Sequence, residues 1–342
     1  MTHRTGAISP VPWGHSLIDS DRQSRQAPGP SPLAADAAYR PHAKPPAEPL
    51  AGQAILLDVF IDSRAGKRGG NPVPLVLDAA RMTSAGMQAL AARYGHESAF
   101  VLPAQGAGEQ AWRLRFFVPD HEMEMCGHAT VGTLWALRQW GRWTARTARV
   151  QTLSGAVDVV WDDARGWAWV SQPGATVAAL RADHLDAICG VLGIARGTPG
   201  LHAVNAGTSR VKTLIRLPDA ATLDALEPDF GAIRDLCESI GSTGLYPYVQ
   251  GKDGAWARQF PKASGYPEDA ATGIAAAALW GYLRQQDQVP RDGVYTVRQG
   301  VAMGAPSAIH LRAREDAAGC WLSGEVRWRE PGADTAAPAR TG

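Results

Sequence analysis

The stretch Phe116-Phe117-Val118-Pro119, an acidic turn and then Cys126-Gly127-His128-Ala129-Thr130 predict a strand, a tight polar turn and the start of a helix. The second half of the chain repeats this plan. There Arg258-Gln259-Phe260-Pro261 is followed by a Gly/Pro turn and then by Glu268-Asp269-Ala270-Ala271-Thr272-Gly273. Each stretch leads into a run of apolar and small residues. We infer an internal duplication of a unit that buries one helix rich in small residues.

The two runs predict helices from Gly127 to about Trp140 and from Ala270 to Leu283. Small residues at both starts leave backbone N–H groups open to close approach. A helix start binds anions through these unpaired N–H groups and its positive dipole end. Taken alone, Asp269 is more simply the N-cap of the second helix, because aspartate is a preferred capping residue.

Length and composition predict two domains and two loose ends. The chain has 342 residues, whereas single domains centre on roughly 100–150. Nine of its 24 prolines lie in the first 50 residues, which predicts a disordered leader over 1–50 or a stretch upstream of the true start. The expected domains span 51–172 and 173–330, followed by a loose tail over 331–342.

Charge and cysteine usage exclude several classes of protein. The formal net charge of +1 carries no electrostatic footprint for nucleic acid, so a small-molecule partner is expected. The four cysteines are scattered, without a CxxC pair or a nearby Cys/His run. This pattern argues against structural zinc and against a disulfide framework, and it predicts a reducing compartment.

No apolar run approaches the roughly 18 residues that would predict a membrane span, and no signal peptide is recognised, so we expect a cytoplasmic protein. Neither GxGxxG nor GxxxxGK[ST] occurs, so a nucleotide cofactor is not predicted. We therefore expect no cofactor and no metal.

Further motifs stand in order along the chain. They are Gly70-Asn71-Pro72, Glu97-Ser98-Ala99-Phe100, the two helix starts, and Gln299-Gly300 before Gly304-Ala305-Pro306-Ser307. From about Gln53 to Trp328, this succession resembles the phenazine-biosynthesis isomerase-like family, which is similar in architecture to diaminopimelate epimerase. The resemblance implies an α+β fold of two similar domains, each a mostly antiparallel barrel-like sheet around a central helix, with the active site between them.

The resemblance also assigns roles to individual residues. Glu97 matches the general acid/base of the family, while His128 and Asp269 match residues that contact the substrate. Substrate-binding positions are expected at Asn71, His96, Gly127, Ala129, Thr272 and Gly273. A carboxylate at the start of a buried strand is desolvated, which raises its pKa and suits Glu97 to taking and returning a proton. Without the resemblance, Glu97 would be interpreted as a hydrogen-bonded polar residue at the end of a strand and His128 as a histidine with a structural hydrogen bond.

The sequence departs from the family pattern at His96 and Ile274, where a small residue or a serine is usual, and at Ala305, where arginine is usual. Cys126 has no partner cysteine in the second motif, which argues against a two-thiol racemase and for a small buried residue. These departures predict a pocket of altered polarity that retains proton transfer next to an activated carbon.

We therefore expect a cofactor-independent isomerase acting on a small carboxylate. Two alternatives stay open: an epimerase, racemase or dehydratase with His96 or Asp269 as a second base, and a non-catalytic homologue that binds a small ligand. Expected partners are the substrate and, as an alternative to a monomer, a second copy in a homodimer; nucleic acid and membrane are not expected.

Overall fold

The computed structural model describes residues 45–66, 69–105, 111–252, 254–315 and 318–329. The predicted loose tail and most of the predicted leader lie outside these ranges. The last residues of the predicted leader, 45–50, are described, and they contact the first half of the chain. The carbonyl of Pro46 accepts a hydrogen bond from Trp140 Nε1 at 2.9 Å, and Glu48 pairs with Arg142 at 2.7 Å. Packing begins before the boundary expected at residue 50.

The first half contains eight strands and two α-helices. The strands are β1 (Ala54–Ile61), β2 (Asn71–Val76), β3 (Ser98–Pro103), β4 (Trp112–Phe117), β5 (Glu122–Met123), β6 (Thr147–Thr152), β7 (Gly155–Asp162) and β8 (Trp167–Gln172). The helices are α1 (Ser84–Tyr94) and α2 (Gly127–Gln139). These counts cover the described residues.

The second half adds ten strands and four α-helices within the described ranges. The strands are β9 (Thr176–Ala179), β10 (His202–Gly207), β11 (Val211–Arg216), β12 (Gly244–Gly251), β13 (Gly254–Ala257), β14 (Phe260–Pro261), β15 (Tyr295–Gln299), β16 (Ser307–Ala313), β17 (Cys320–Ser323) and β18 (Glu325–Trp328). The helices are α3 (Ala182–Leu192), α4 (Ala220–Asp224), α5 (Ile233–Ser239) and α6 (Gly273–Gln285).

Strand pairing repeats between the halves. In the first half β1 pairs antiparallel with β2, β2 runs parallel to β3, β3 antiparallel to β4, and β4 parallel to β6. The same succession joins β10, β11, β12, β13 and β15. The two halves are also joined by strand pairing, because β18 pairs with β1 and β17 pairs with β8. The duplication that the two motifs predict is therefore present in the topology, and the α+β fold class is confirmed.

Each half wraps its mostly antiparallel sheet around one buried helix. All residues from 127 to 137 in α2 are buried, as are 273–281 in α6. Small residues allow this close packing: a Cβ atom added at Gly132 would lie 2.6 Å from Cγ2 of Val59 on β1. Among the described residues, no helix is long and apolar enough to cross a membrane.

The second central helix begins later than predicted. Its N-cap is Thr272 rather than Asp269, so the predicted start at Ala270 is wrong. Asp269 instead forms a β-bridge with Gln259, donating its backbone N–H to the Gln259 carbonyl at 3.0 Å. Its own carbonyl accepts from Gln299 Nε2 at 2.7 Å. These bonds hold Asp269 in extended backbone, which frees its carboxylate from a capping role.

Candidate active site

The starts of the two central helices meet at one place. A Cβ atom added at Gly127 would lie 2.9 Å from Cδ2 of Leu322 and 4.0 Å from Cα of Gly273. One added at Gly273 would lie 2.8 Å from the same Leu322 atom. Glycine at both positions therefore lets the helices approach each other.

A pocket opens at this junction. Both halves of the chain contribute to its wall. The first half supplies Glu97, Met123, Met125, Cys126, Gly127 and His128. The second half supplies Arg210, Lys212, Gln259, Pro261, Ser264, Tyr266, Asp269, Thr272, Gly273 and Ile274.

Glu97, Cys126 and His128 form a compact triangle on the first-half wall. Glu97 directly precedes β3, Cys126 is the N-cap residue of α2, and His128 is the second residue of that helix. Glu97 Oε2 lies 3.2 Å from His128 Nε2 and accepts a hydrogen bond from Cys126 Sγ at 3.3 Å. Cys126 Sγ lies 3.3 Å from His128 Nδ1. The side chain of Glu97 is only 14% exposed.

Burial sets the protonation of this triangle. It raises the pKa of Glu97, although the Cys126 hydrogen bond and the charges of Arg210 and Lys212 oppose the rise. It lowers the pKa of His128 to about 4, so the imidazole is neutral at pH 7. It raises the pKa of the Cys126 thiol well above its usual range, and the Glu97 charge adds to this effect. Of the three groups, Glu97 is therefore the candidate for proton exchange, because burial raises the pKa of its carboxyl group.

Two side chains donate hydrogen bonds to the carboxylate of Asp269. Its Oδ1 accepts a hydrogen bond from Asn71 Nδ2 at 2.8 Å, and its Oδ2 accepts one from the hydroxyl of Thr272. Asn71 Nδ2 also donates to the Ala271 carbonyl at 2.9 Å. Burial, followed by repulsion from Glu97, raises the pKa of Asp269 to about 6. A second carboxyl group with a raised pKa therefore faces the pocket.

Six of the predicted site residues line this pocket: Glu97, Gly127, His128, Asp269, Thr272 and Gly273. Asn71 acts at its edge by holding Asp269. Ala129 is buried, and its backbone N–H bonds the Cys126 sulfur. His96 is not part of the described pocket wall; its pKa is lowered to about 4 by burial and by Arg329, which pairs with Asp58. The catalytic and binding roles stay predictions.

The sequence reasoning missed Arg210, Lys212 and Gln259. Arg210 directly precedes β11 and Lys212 is its second residue, a spacing of two that places both side chains on the same face in extended backbone. Two basic residues on one face of a largely buried strand could have indicated these two positions from the sequence. Gln259 stands in the repeated motif itself, but only the tertiary structure reveals that its side chain is 1% exposed at the pocket wall.

Glu97, Cys126 and His128 also form a chemically possible metal site. Their ligand atoms all lie within 4.8 Å of one another, and zinc uses carboxylate, thiolate and imidazole ligands. Binding would require the Cys126 thiol to lose its proton, which its raised pKa opposes. It would also occupy the Glu97 lone pairs that the predicted proton transfer needs.

Comparison with known proteins identifies the family. The profile described as phenazine biosynthesis-like protein matches residues 57–324. The chain belongs to this family. It is 34% identical over 255 residues to an uncharacterized isomerase of Deinococcus radiodurans, covering 71% of this chain and 81% of the relative. It is 30% identical over 272 residues to trans-2,3-dihydro-3-hydroxyanthranilate isomerase of Pseudomonas aeruginosa, covering 75% and 89%.

A solved structure of the phenazine biosynthesis-like family supports the fold. The Bacillus anthracis phenazine biosynthesis protein of the PhzF family superposes with a TM-score of 0.69 at 21% identity, covering 81% of this chain and 96% of that one. At this identity the likeness establishes the fold alone. With the family match and the relatives named isomerases, the chain is an isomerase of the phenazine biosynthesis-like family, and the resemblance inferred from the motifs is confirmed.

Proposed function

We propose that this isomerase moves a proton on a small carboxylate substrate without a cofactor, with Glu97 as the general acid and base. The observation that carries the proposal is the contact of Glu97 Oε2 with His128 Nε2 at 3.2 Å, beside two helix starts that open into the same pocket. Its raised pKa suits the Glu97 carboxyl group both to accept and to return a proton.

The helix starts supply the anion-binding part of the mechanism. Gly127 and Gly273 line the pocket at the starts of two helices. The unpaired backbone N–H groups of a helix start and its positive dipole end attract a carboxylate. Holding the carboxylate there orients the adjacent carbon toward Glu97. Negative charge that develops as the proton leaves is stabilised by the same N–H groups. Glu97 then delivers the proton to a second carbon.

His128 and Asp269 have supporting roles in this mechanism. Neutral His128 offers one N–H donor, which keeps the Glu97 carboxylate oriented or bonds the substrate. Asp269, with a pKa of about 6, accepts hydrogen bonds from Asn71 and Thr272 and contacts a polar group of the substrate. Its position opposite the Glu97 wall also favours a second function, an epimerase in which Asp269 is the second base.

Solvent-deuterium incorporation tests the proposal. The purified chain is incubated in D₂O with trans-2,3-dihydro-3-hydroxyanthranilate, the compound in the name of the Pseudomonas relatives, and with a panel of small unsaturated and amino carboxylates. We expect deuterium at the carbon that receives the proton, observed by NMR. Deuterium on the original carbon with inversion supports the epimerase. Binding without any exchange supports a non-catalytic homologue.

Location in the cytoplasm and assembly as a homodimer are part of the proposal. The cytoplasmic location rests on the cysteine usage, whereas the homodimer is carried over from the sequence analysis as an alternative to a monomer. Light scattering of the purified chain tests the dimer.

A further inference from the structure

Resting on the proposed function, we propose that the substrate carries a second anionic group, most simply a second carboxylate, which Lys212, Arg210 and Gln259 bind on the second-half wall of the pocket. The first carboxylate is the one held at the helix starts. The substrate class is then a small dicarboxylate.

Lys212 is a buried cation that faces the pocket. It is 5% exposed, and its Nζ donates to the Thr243 carbonyl at a long distance of 3.4 Å. Among the residues that the structure describes, no carboxylate lies within 4 Å of this ammonium group. Burial and repulsion from Arg210 lower its pKa to about 8, and the charges of Asp269 and Glu97 oppose this effect from farther away. An anionic ligand would supply the counter-ion that a buried ammonium group requires.

Arg210 reinforces the same wall. It precedes Lys212 by two residues and reaches into the first half, where its Nη2 donates to the Met125 carbonyl at 3.4 Å. Its other neighbour, Glu124, is 3.8 Å away and has a side chain that is 70% exposed. A guanidinium group has five N–H donors, more than these two contacts use, and its planar fork matches a carboxylate.

Gln259 provides an independent indication of a ligand. Its side chain is 1% exposed, and neither Oε1 nor Nε2 has a hydrogen-bond partner among the described residues. Gly244 makes room for this amide, since a Cβ atom added there would lie 2.3 Å from Nε2. Buried amides are nearly always hydrogen-bonded, because leaving them unpaired is costly. Gln259 lines the pocket beside two cations, and an amide N–H group is suited to a carboxylate oxygen.

The polar groups of the pocket fall on two walls. Glu97 and the start of α2 belong to the first half, whereas Arg210, Lys212 and Gln259 belong to the second. A substrate with a single carboxylate bound at the helix starts would leave both cations and the amide unused. A dicarboxylate engages both walls.

Calorimetric binding tests the proposal without requiring turnover. Malonate, succinate, glutarate and adipate are each compared with the monocarboxylate of equal chain length, at constant ionic strength and pH 7. We expect at least one dicarboxylate to bind about tenfold tighter than its partner. Lys212→Met and Arg210→Gln should each lower the affinity for that dicarboxylate by roughly 10- to 100-fold, the range expected for a lost hydrogen bond to a charged group. Both variants should bind the monocarboxylate with nearly the affinity of wild type.

Lys252→Met is the matched control, because this lysine is exposed on the turn between β12 and β13, and it should retain the preference. The proposal is overturned if wild type binds no dicarboxylate better than its partner, or if the variants weaken both ligands equally. Should Lys212→Met fail to fold, Arg210→Gln carries the test, since its side chain is 29% exposed. Glu97→Gln separates the proposed function from the proposed dicarboxylate binding. If this variant still exchanges substrate protons with solvent at the wild-type rate, the proton-transfer role of Glu97 is refuted, whereas the preference for a dicarboxylate is unaffected.

Discussion

Asn71 Nδ2 donates a hydrogen bond to Asp269 Oδ1 at 2.8 Å, joining residues that are 198 positions apart. The same nitrogen donates to the Ala271 carbonyl, so one side chain of the first half holds the segment before α6 in the second. The pocket wall therefore depends on a contact between the two repeats.

Replacing Asn71 with alanine should both destabilise the protein and change the titration of the site. Two buried acceptors lose their donor, which costs about 1–3 kcal/mol in the free energy of unfolding. The pKa of Asp269 should rise further above 6, because a hydrogen bond to its charged form is lost. Urea unfolding and the pH dependence of ligand binding measure the two effects. Asn205→Ala is the control: it loses a bond to the Ile240 carbonyl outside the pocket and should affect stability alone.

Glu97→Gln should lower turnover roughly 10²–10⁴-fold and leave substrate affinity nearly unchanged. Glutamine keeps the shape of the side chain and its contact with Cys126 but cannot take up a proton. Initial rates and calorimetric affinity are compared with those of Glu238→Gln, an exposed position on α5. A variant that turns over at the wild-type rate would exclude Glu97 as the base.

The pH dependence of stability should contain a contribution from Asp269. Its pKa is raised from 3.8 to about 6 on folding, so between these values the folded chain holds a proton that the unfolded chain has released. This contribution to the free energy of unfolding therefore falls as pH rises through the window, and it stays lowest above about pH 6.

Asp269→Asn removes that contribution while retaining an acceptor for Asn71. The free energy of unfolding of the variant should exceed that of wild type by about 1–3 kcal/mol at pH 7 and differ little from it near pH 4. Urea unfolding at both pH values measures the difference. An equal effect at the two pH values would mean that Asp269 does not titrate with a raised pKa.

Adding a methyl group at the helix junction should be destabilising. In Gly273→Ala the new Cβ atom would lie 2.8 Å from Leu322 Cδ2 and 3.3 Å from Phe60 Cε2, both in the core, so about 1–3 kcal/mol of stability is lost. Gly190→Ala in α3 is the matched control. A Cβ atom there meets nothing within 4 Å, so the substitution should stabilise the helix by about 0.5–1 kcal/mol. Thermal unfolding distinguishes the two signs.

Activity should survive chelators and need no added nucleotide. The Cys126 thiol donates to Glu97 and has a raised pKa, which opposes its use as a metal ligand. Elemental analysis of the purified chain should find no stoichiometric metal, and incubation with a chelator should not alter the rate. A rate that falls with the chelator and returns with one metal would refute metal-free proton transfer.

Local patterns were sufficient for much of the fold and part of the site. The two repeated motifs predicted the buried helices α2 and α6, because glycine and alanine runs after a strand and turn are local features. Motif order identified the family and pointed to Glu97, His128 and Asp269, which the structure brings to one pocket. The start of α6 was misplaced by three residues because bonds from Gln259 and Gln299 override the capping preference of Asp269.

By itself the sequence determined the duplication, the central helices and the acid/base candidate, since each depends on the order and type of neighbouring residues. Only the tertiary structure decided that β18 pairs with β1, that Asn71 holds Asp269, and that Lys212 and Gln259 face the pocket of Glu97. These relationships join residues far apart in the chain. Burial and electrostatic interaction depend on distance in space, which periodicity along one strand or helix does not specify.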